Sequence, residues 1–294
     1  MTFHAIVSST NRAVDQLLRE ACSTRHIMYR AHDPATFDFS HLKPLPAGDM
    51  LYRASAPRSG TNGARAIEKY LVHEAVATFY THVSSAGFAY DASTIVHQYL
   101  LFQKNGLSLP RTILHVNTNH ELLAAYVEYV GGFPVVLKTT HGSHGIGTMR
   151  IDSLPSLYSV LDFTREAGQN VLLQQNIHTN ASARLIVVGD RVVDSIEYVH
   201  PPDDFRSNVG TTPRVQAKKF SREIEQLAIA ATHALNLEAG GVDILVDQSG
   251  KAYLAEVNFP FNVARAQNLT GVDTSGFMID FLVEKSRRLI SASS

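Results

Sequence analysis

The sequence predicts an α/β fold that turns to α+β in its C-terminal part, and three observations carry that reading. Residues 1–90 alternate short apolar runs with amphipathic stretches, the pattern of a small domain built on a parallel sheet. An apolar run, Pro134-Val135-Val136-Leu137, leads into the segment KTTHGSHGIGTMR, residues 138–150, which holds little side chain and three glycines. The last third carries two hairpin signals, ARLIVVGDRVVDSIEYV turning at Gly189-Asp190 and GVDILVDQSGKAYLAEVN turning at Gln248-Ser249-Gly250.

Taken in order, residues 3–8 read as a buried strand. Asn11 is placed to cap a helix carrying Val14, Leu17, Leu18 and Ala21 on one face. Strands follow near 26–30 and 49–54, then a helix over 64–82 with Ile67, Leu71, Ala75 and Phe79 at four-residue spacing. A helix over 93–105 stops at Asn105-Gly106, with Pro110 beyond it. Strand 112–116, helix 120–130 and strand 134–139 come before the glycine segment; strand 147–151, helix 155–167 and strand 171–175 come after it. Ser221 opens a helix bearing Ile224, Leu227, Ala228, Ala231 and Leu235, and a last helix spans 274–290. The expected division is 1–90, 91–172 with the glycine-rich loop, and 173–294 with the second hairpin.

The composition is that of a globular chain: 294 residues, 45% hydrophobic, 18% charged, formal net charge -1. Such a balance offers no basic surface for nucleic acid. The one cysteine, Cys22, allows neither an internal disulfide nor a cysteine metal site, and points to a reducing compartment. The start lacks the basic-then-apolar pattern of a signal peptide, and no apolar stretch is long enough for a bilayer. The expectation is a cytoplasmic chain with no membrane partner. Exposed edge strands in the first domain leave room for a homodimer.

Gly142, Gly145 and Gly147 let a backbone lie close to a ligand, so that amide N–H groups can face phosphate oxygens. Lys138, at the end of the preceding strand, could add a point charge. The spacing matches neither G-x-x-x-x-G-K-[ST] nor G-x-G-x-x-G, which excludes a P-loop and a dinucleotide fingerprint. A plain glycine hairpin with a surface lysine remains the competing explanation. In the second hairpin, a turn at Asp247–Gly250 would pair Val246 with Lys251 and set Asp243 opposite Leu254. Leu254, Glu256 and Asn258 would then share one face. Glu256 becomes a diagonal neighbour of Asp243, and with Asn258 the group offers hard oxygen ligands suited to Mg²⁺. Gln174-Gln175-Asn176-Ile177 ends a buried strand between two domains, where backbone groups can bond an adenine edge or simply close the strand.

The ordered series PVVLKTTHGSHGIGT, VLLQQNI, ARLIVVGDRVV, FRSN and GVDILVDQSGKAYLAEVN resembles the ATP-grasp superfamily. It is most similar to the RimK-type branch, carboxylate–amine ligases related to glutathione synthetase, over roughly residues 105–285. The resemblance implies an ATP-grasp fold behind an N-terminal parallel-sheet domain, and a ligase that forms a C–N bond from amino acid or peptide substrates with ATP and Mg²⁺. Two magnesium ions are implied, with Mn²⁺ as a substitute. It implies that Lys138 contacts the α- and β-phosphates. The loop of His141, Gly142, Ser143, Gly145, Ile146 and Gly147 is then a lid, and Gln174, Gln175, Asn176 and Ile177 form the adenine hinge. Arg184 and Arg206 are implied to hold phosphate and the acyl intermediate, with Asn208 beside Arg206. Asp243, Glu256 and Asn258 are implied as the metal ligands.

The chain departs from the family pattern in places. Ile95 stands where a first ATP lysine is expected, leaving Lys104 or Arg111 as substitutes, and Ser182 replaces an acidic residue. FPFNVARAQ follows Asn258 in place of a Ser-Pro-Gly-like turn. A nucleotide binder without turnover and an ATP-grasp kinase are therefore the rival expectations. The sequence names no base for the amine; His141 and His144 compete with a reading as solvent-exposed loop residues.

Overall fold

The computed structural model describes residues 1–41, 43–54, 61–82, 94–140, 146–179, 181–201, 204–206 and 214–293. Its first layer is a parallel sheet of β1 (Thr2–Ile6), β2 (Met28–His32) and β3 (Met50–Arg53) in the order β2-β1-β3. Helix α1 (Arg12–Ser23) buries Val14, Leu18, Ala21 and Cys22 against one face. Helix α2 (Thr61–Leu71) lays Ile67 and Leu71 on the other, against Ile6 and Leu51. Burial pushes the Cys22 thiol up to about 12, so it behaves as a small apolar residue.

The expected 64–82 helix stops at Leu71. Beyond it the chain runs alongside β3: Leu51 N–H donates to the Ala77 carbonyl and Ala77 N–H to the Asp49 carbonyl. Val76 enters one core and Ala77 and Phe79 the other, which is strand-like alternation. Bonds to a sheet edge outweighed a local helical period.

Helix α3 (Ile95–Lys104) starts at Thr94, whose side chain accepts from His97 N–H, and ends at Asn105 with Gly106 at φ +66°. An antiparallel sheet follows, built from β4 (Thr112–Ile113), β5 (Val135–Thr139), β6 (Thr148–Ile151) and β7 (Val171–Gln175) in the order β4-β7-β5-β6. Helices α4 (His120–Tyr129) and α5 (Leu154–Glu166) pack Leu123, Val127, Leu157 and Leu161 onto Val135, Leu137 and Leu173.

The third sheet is also antiparallel: β8 (Ala181–Val188), β9 (Arg191–Val199), β10 (Val215–Ala217), β11 (Ala239–Val246) and β12 (Ala252–Asn258), in the order β10-β9-β8-β11-β12. Helix α6 (Arg222–Ala234) covers one face through Ile224, Ala228 and Ala231, which meet Leu185, Val187 and Val242. On the opposite face, Ile186 and Val188 join Phe3, Tyr52 and Met278 in a core shared with the first sheet. Two helices close the chain, α7 (Val263–Thr270) and α8 (Thr274–Ser293). Strand β10 and helix α7 were not expected. Among the described residues no helix is long and apolar enough to cross a membrane.

One polar cluster in the first sheet gives a pH prediction. His4 Nδ1 lies 2.9 Å from His32 Nε2, and His4 Nε2 lies 3.1 Å from Asp49 Oδ2. Burial lowers both histidines below 6.5, His32 to about 4, with mutual repulsion adding to the effect on His32. The unfolded chain therefore binds protons that the folded chain refuses. Stability should fall as pH drops from about 6.5 and level off below about 4, by on the order of 1 kcal/mol after allowing for partial exposure. Urea midpoints measured between pH 7.5 and 4 should show this slope, and His32→Gln should flatten it.

Candidate active site

A cavity of about 390 Å³ lies between the second and third sheets. Strand alternation aims the side chains. In β5, Val135 and Leu137 enter the small core while Val136 and Lys138 face the cavity; Thr148 and Arg150 of β6 lie beside them. From the opposite wall come Ser182, Tyr198, Asp243 and Glu256. Gln174 to Thr179, running out of β7, join the two walls.

Asp243, Glu256 and Asn258, the expected metal ligands, converge by a register different from the one expected. Val246 pairs with Ala252 and Ile244 with Leu254, and a bulge then sets Asp243 directly opposite Glu256. The extra residue is Ala255. Leu254 consequently leaves the shared face and is fully buried in the core beneath α6. Asp243 also pairs with Arg184 on β8, so Arg184, Asp243 and Glu256 form one row across three strands.

Arg184 forks onto Asp243, Nε to Oδ1 at 2.5 Å and Nη2 to Oδ2 at 2.7 Å. Asn258 donates its amide to Asp243 Oδ2 and to Glu256 Oε1, each at 3.2 Å, and to the Gly241 carbonyl at 3.4 Å. Gly241 is needed here, since a Cβ at this position would come within 2.9 Å of Phe261.

The electrostatics fit a site waiting for charge. Burial, then repulsion from Asp243, raises the Glu256 carboxyl above its ordinary range, and Arg184 only partly offsets this. Burial lowers Lys138 below the usual lysine value, while Glu256 and then Asp243 pull it back up. Burial also opposes the Arg184 charge, but Asp243 outweighs it and leaves the guanidinium more basic than usual. Among the described residues no group of three His, Cys, Asp or Glu could hold a metal. Two carboxylates and an amide fit a hard cation that takes its remaining ligands from phosphate and water, as Mg²⁺ does.

Of the other expected site residues, Ile146, Gln175, Asn176, Ile177 and Arg206 line the same cavity. Arg184 and Asn258 stand behind it, reaching it through Asp243. Gly147 forms the root of the glycine loop at φ +84°, where a Cβ would lie 2.2 Å from Thr139 Oγ1. The Gln174 side chain is committed to structure, donating to Tyr99 Oη at 2.8 Å and Thr112 Oγ1 at 2.9 Å. Gln175 is similarly tied, its Oε1 accepting from Arg111 N–H. Arg206 is clamped by Asp204, with Nη2 2.8 Å from Oδ2. His141, Gly142, Ser143, Gly145 and Asn208 lie outside the described residues, as does His144.

Ile95 lies on the cavity wall, where the departing lysine was expected. Lys104 and Arg111, the anticipated substitutes, are not on that wall; Arg111 rests beside Gly131. Arg150 is on it, and sequence reasoning missed it. Its signal was available: Arg150 falls two residues beyond Thr148, on the face that Lys138 shares. His200 also lines the cavity, and no motif marked it.

Comparisons with known proteins place this geometry. A probable alpha-L-glutamate ligase of Pectobacterium carotovorum is 31% identical over 202 residues, covering 68% of this chain and 65% of its own. One from Parasynechococcus marenigrum is 32% identical over 187 residues, covering 63% of this chain and 40% of its own. The chain thus spans less than two thirds of the length of either curated relative. The ATP-grasp ligase PsnB, solved with a phosphomimetic variant of a minimal precursor, Mg and ADP, superposes with a TM-score of 0.74 at 18% identity, over 97% of this chain and 98% of its own. The fold is therefore ATP-grasp. A RimK-like ATP-grasp domain matches residues 93–282, more than half of the sequence, and the chain belongs to that family.

Proposed function

We propose that this chain is an ATP-dependent ligase that joins a carboxylate to an amine through an acyl phosphate, releasing ADP and phosphate. The observation carrying this reading is the convergence of Lys138 with Asp243 and Glu256 on one cavity. A half-buried lysine facing two half-buried carboxylates gains little as structure, because burial disfavours each charge. The same set suits a ligand that brings phosphate charge and a divalent cation. Mg²⁺ held by Asp243, Glu256 and Asn258 would neutralise phosphoryl oxygens during transfer; two ions, with Mn²⁺ as a substitute, belong to this reading.

The chain's own residues have distinct tasks. Lys138 meets phosphate oxygens, and Arg150 takes the charge role vacated at position 95. Backbone groups of Asn176 and Ile177 receive the adenine edge, since the Gln174 and Gln175 side chains are already engaged. Ile146, 60% exposed on the cavity rim, is positioned to cover the phosphates and keep water from the acyl phosphate. Arg184 fixes the orientation of the Asp243 carboxylate, and Arg206 holds the acyl group.

The relatives' name suggests L-glutamate as the amine, with an amino acid or peptide as the carboxylate. The test incubates the protein with Mg·ATP, L-glutamate and a panel of N-acetylated amino acids and dipeptides, and follows ADP, phosphate and amide mass. Release of ADP that requires both Mg²⁺ and carboxylate, together with an amide product, is expected. A stable phosphorylated product without amide would instead support a kinase. Nucleotide binding without ADP release would support the binding-only reading that Ile95 on the cavity wall favours.

A further inference from the structure

Strand β12 is an outer strand of the third sheet, yet its outward backbone groups have partners. Leu254 N–H donates to the Ser108 carbonyl at 2.9 Å, and the Ser108 hydroxyl donates to the Ala252 carbonyl at 2.6 Å. Further along, Gln98 of α3 takes both backbone groups of Val257. Its Nε2 donates to the Val257 carbonyl at 2.8 Å, and its Oε1 accepts from Val257 N–H at 2.9 Å. A glutamine amide carries the donor and acceptor of a peptide group, so this one side chain stands in for a neighbouring strand. Gln98 is 5% exposed and borders the cavity that holds Lys138, Asp243 and Glu256.

These edge contacts fall on either side of the bulge. Leu254 and Val257 both pack in the core beneath α6. On a regular strand, residues three apart face opposite ways. The extra residue, Ala255, reconciles them and leaves Glu256 on the cavity face opposite Asp243. Were the strand to straighten beyond Leu254, Glu256 and Asn258 would turn with Leu254 toward the core, and Val257 would turn to the cavity. A bulge interrupts the ladder to the inner strand, so the outer contacts at Leu254 and Val257 are what pin its two ends.

We infer that Gln98 is a positioning residue for the metal site, an assignment that rests on reading Asp243, Glu256 and Asn258 as Mg²⁺ ligands. Val257 lies between two of those ligands. By fixing its backbone, Gln98 fixes the spacing at which Glu256 and Asn258 meet Asp243. It acts through the backbone of β12 rather than by contact with the cation.

The test measures binding and needs no turnover. Mg²⁺ is titrated into the protein with AMPPNP while the rise in melting temperature is followed, and AMPPNP affinity is measured separately in EDTA by calorimetry. Gln98→Met keeps the length of the side chain and removes both bonds to Val257. The Mg²⁺ concentration giving half of the rise should increase about 10-fold, the size of effect expected when an outer partner of a metal ligand is lost. Metal-free AMPPNP affinity should match the wild type. A lower melting temperature with an unchanged Mg²⁺ requirement would overturn the inference, since Gln98 would then serve the fold alone. So would a loss of metal-free AMPPNP affinity equal to the loss for Mg²⁺, which would place Gln98 against the nucleotide. Gln98→Asn stays polar but is one methylene too short to reach both groups, and it should show the same split if the methionine variant does not fold. Failure of both variants to fold would likewise assign Gln98 to the fold. If Mg²⁺ does not stabilise the wild type with AMPPNP, the metal site itself fails, and the role of Gln98 falls with it.

Discussion

Glu256→Gln should lower Mg²⁺-dependent turnover by at least about 10³-fold while leaving the fold intact. Glutamine keeps the shape of the side chain and an oxygen able to accept from Asn258 Nδ2, a bond now 3.2 Å long at Glu256 Oε1. What it removes is the charge. Without a cation that charge is unwelcome, because burial and the facing Asp243 both push the Glu256 carboxyl toward its neutral form. Apo thermal stability at pH 8 should therefore hold or rise in the variant. The wild type should gain thermal stability on adding Mg²⁺ with AMPPNP, and the variant should gain much less. Chelation by EDTA should bring wild-type turnover down to the variant's level. A variant that keeps wild-type turnover would remove Glu256 from the metal site, and a collapsed melting temperature would recast it as a structural residue.

Much of this site was legible in the residues, and the failures have physical causes. Period-two alternation put Glu256 and Asn258 on one face, and the two side chains do meet there, Asn258 Nδ2 donating to Glu256 Oε1. Alternation cannot reveal a bulge. The turn holds one residue more than expected, pairing Val246 with Ala252, and the bulge at Ala255 adds a second offset, so Asp243 faces Glu256 and the core beneath α6 claims Leu254. The four-residue spacing of Ile67, Leu71, Ala75 and Phe79 mimicked a helix past Leu71. Only the vacant edge of β3, a long-range fact, shows why the chain straightens there. Helix α7 did carry local signals: Asn262 accepts from Ala264 N–H at 3.0 Å and Gly271 closes the helix at φ +74°. Those signals were hidden because the segment was read only as a departure from a family turn. His200 had none, since no spacing encodes that the end of β9 borders the cavity.

Lys138→Ala should weaken Mg·AMPPNP binding by about 1.5–3 kcal/mol, roughly 10- to 150-fold, the worth of a hydrogen bond between charged groups. The amine is unlike a surface lysine. Burial lowers its pKa, while Glu256 and then Asp243 pull it back up. Removing it therefore relieves one desolvation cost and leaves the two carboxylates less compensated, so the net effect on apo stability should stay small. Ligand binding has no such offset, because phosphate oxygens that met an ammonium would meet an apolar wall. Calorimetric titration should show the loss in the nucleotide arm, and the Mg²⁺ concentration needed for half-maximal turnover should shift less than nucleotide affinity. Wild-type nucleotide affinity in the alanine variant would separate Lys138 from the phosphates. Lys138→Arg should recover binding only in part: a guanidinium is longer and planar, and β5 presents position 138 beside Thr148 with Arg150 already on the same wall.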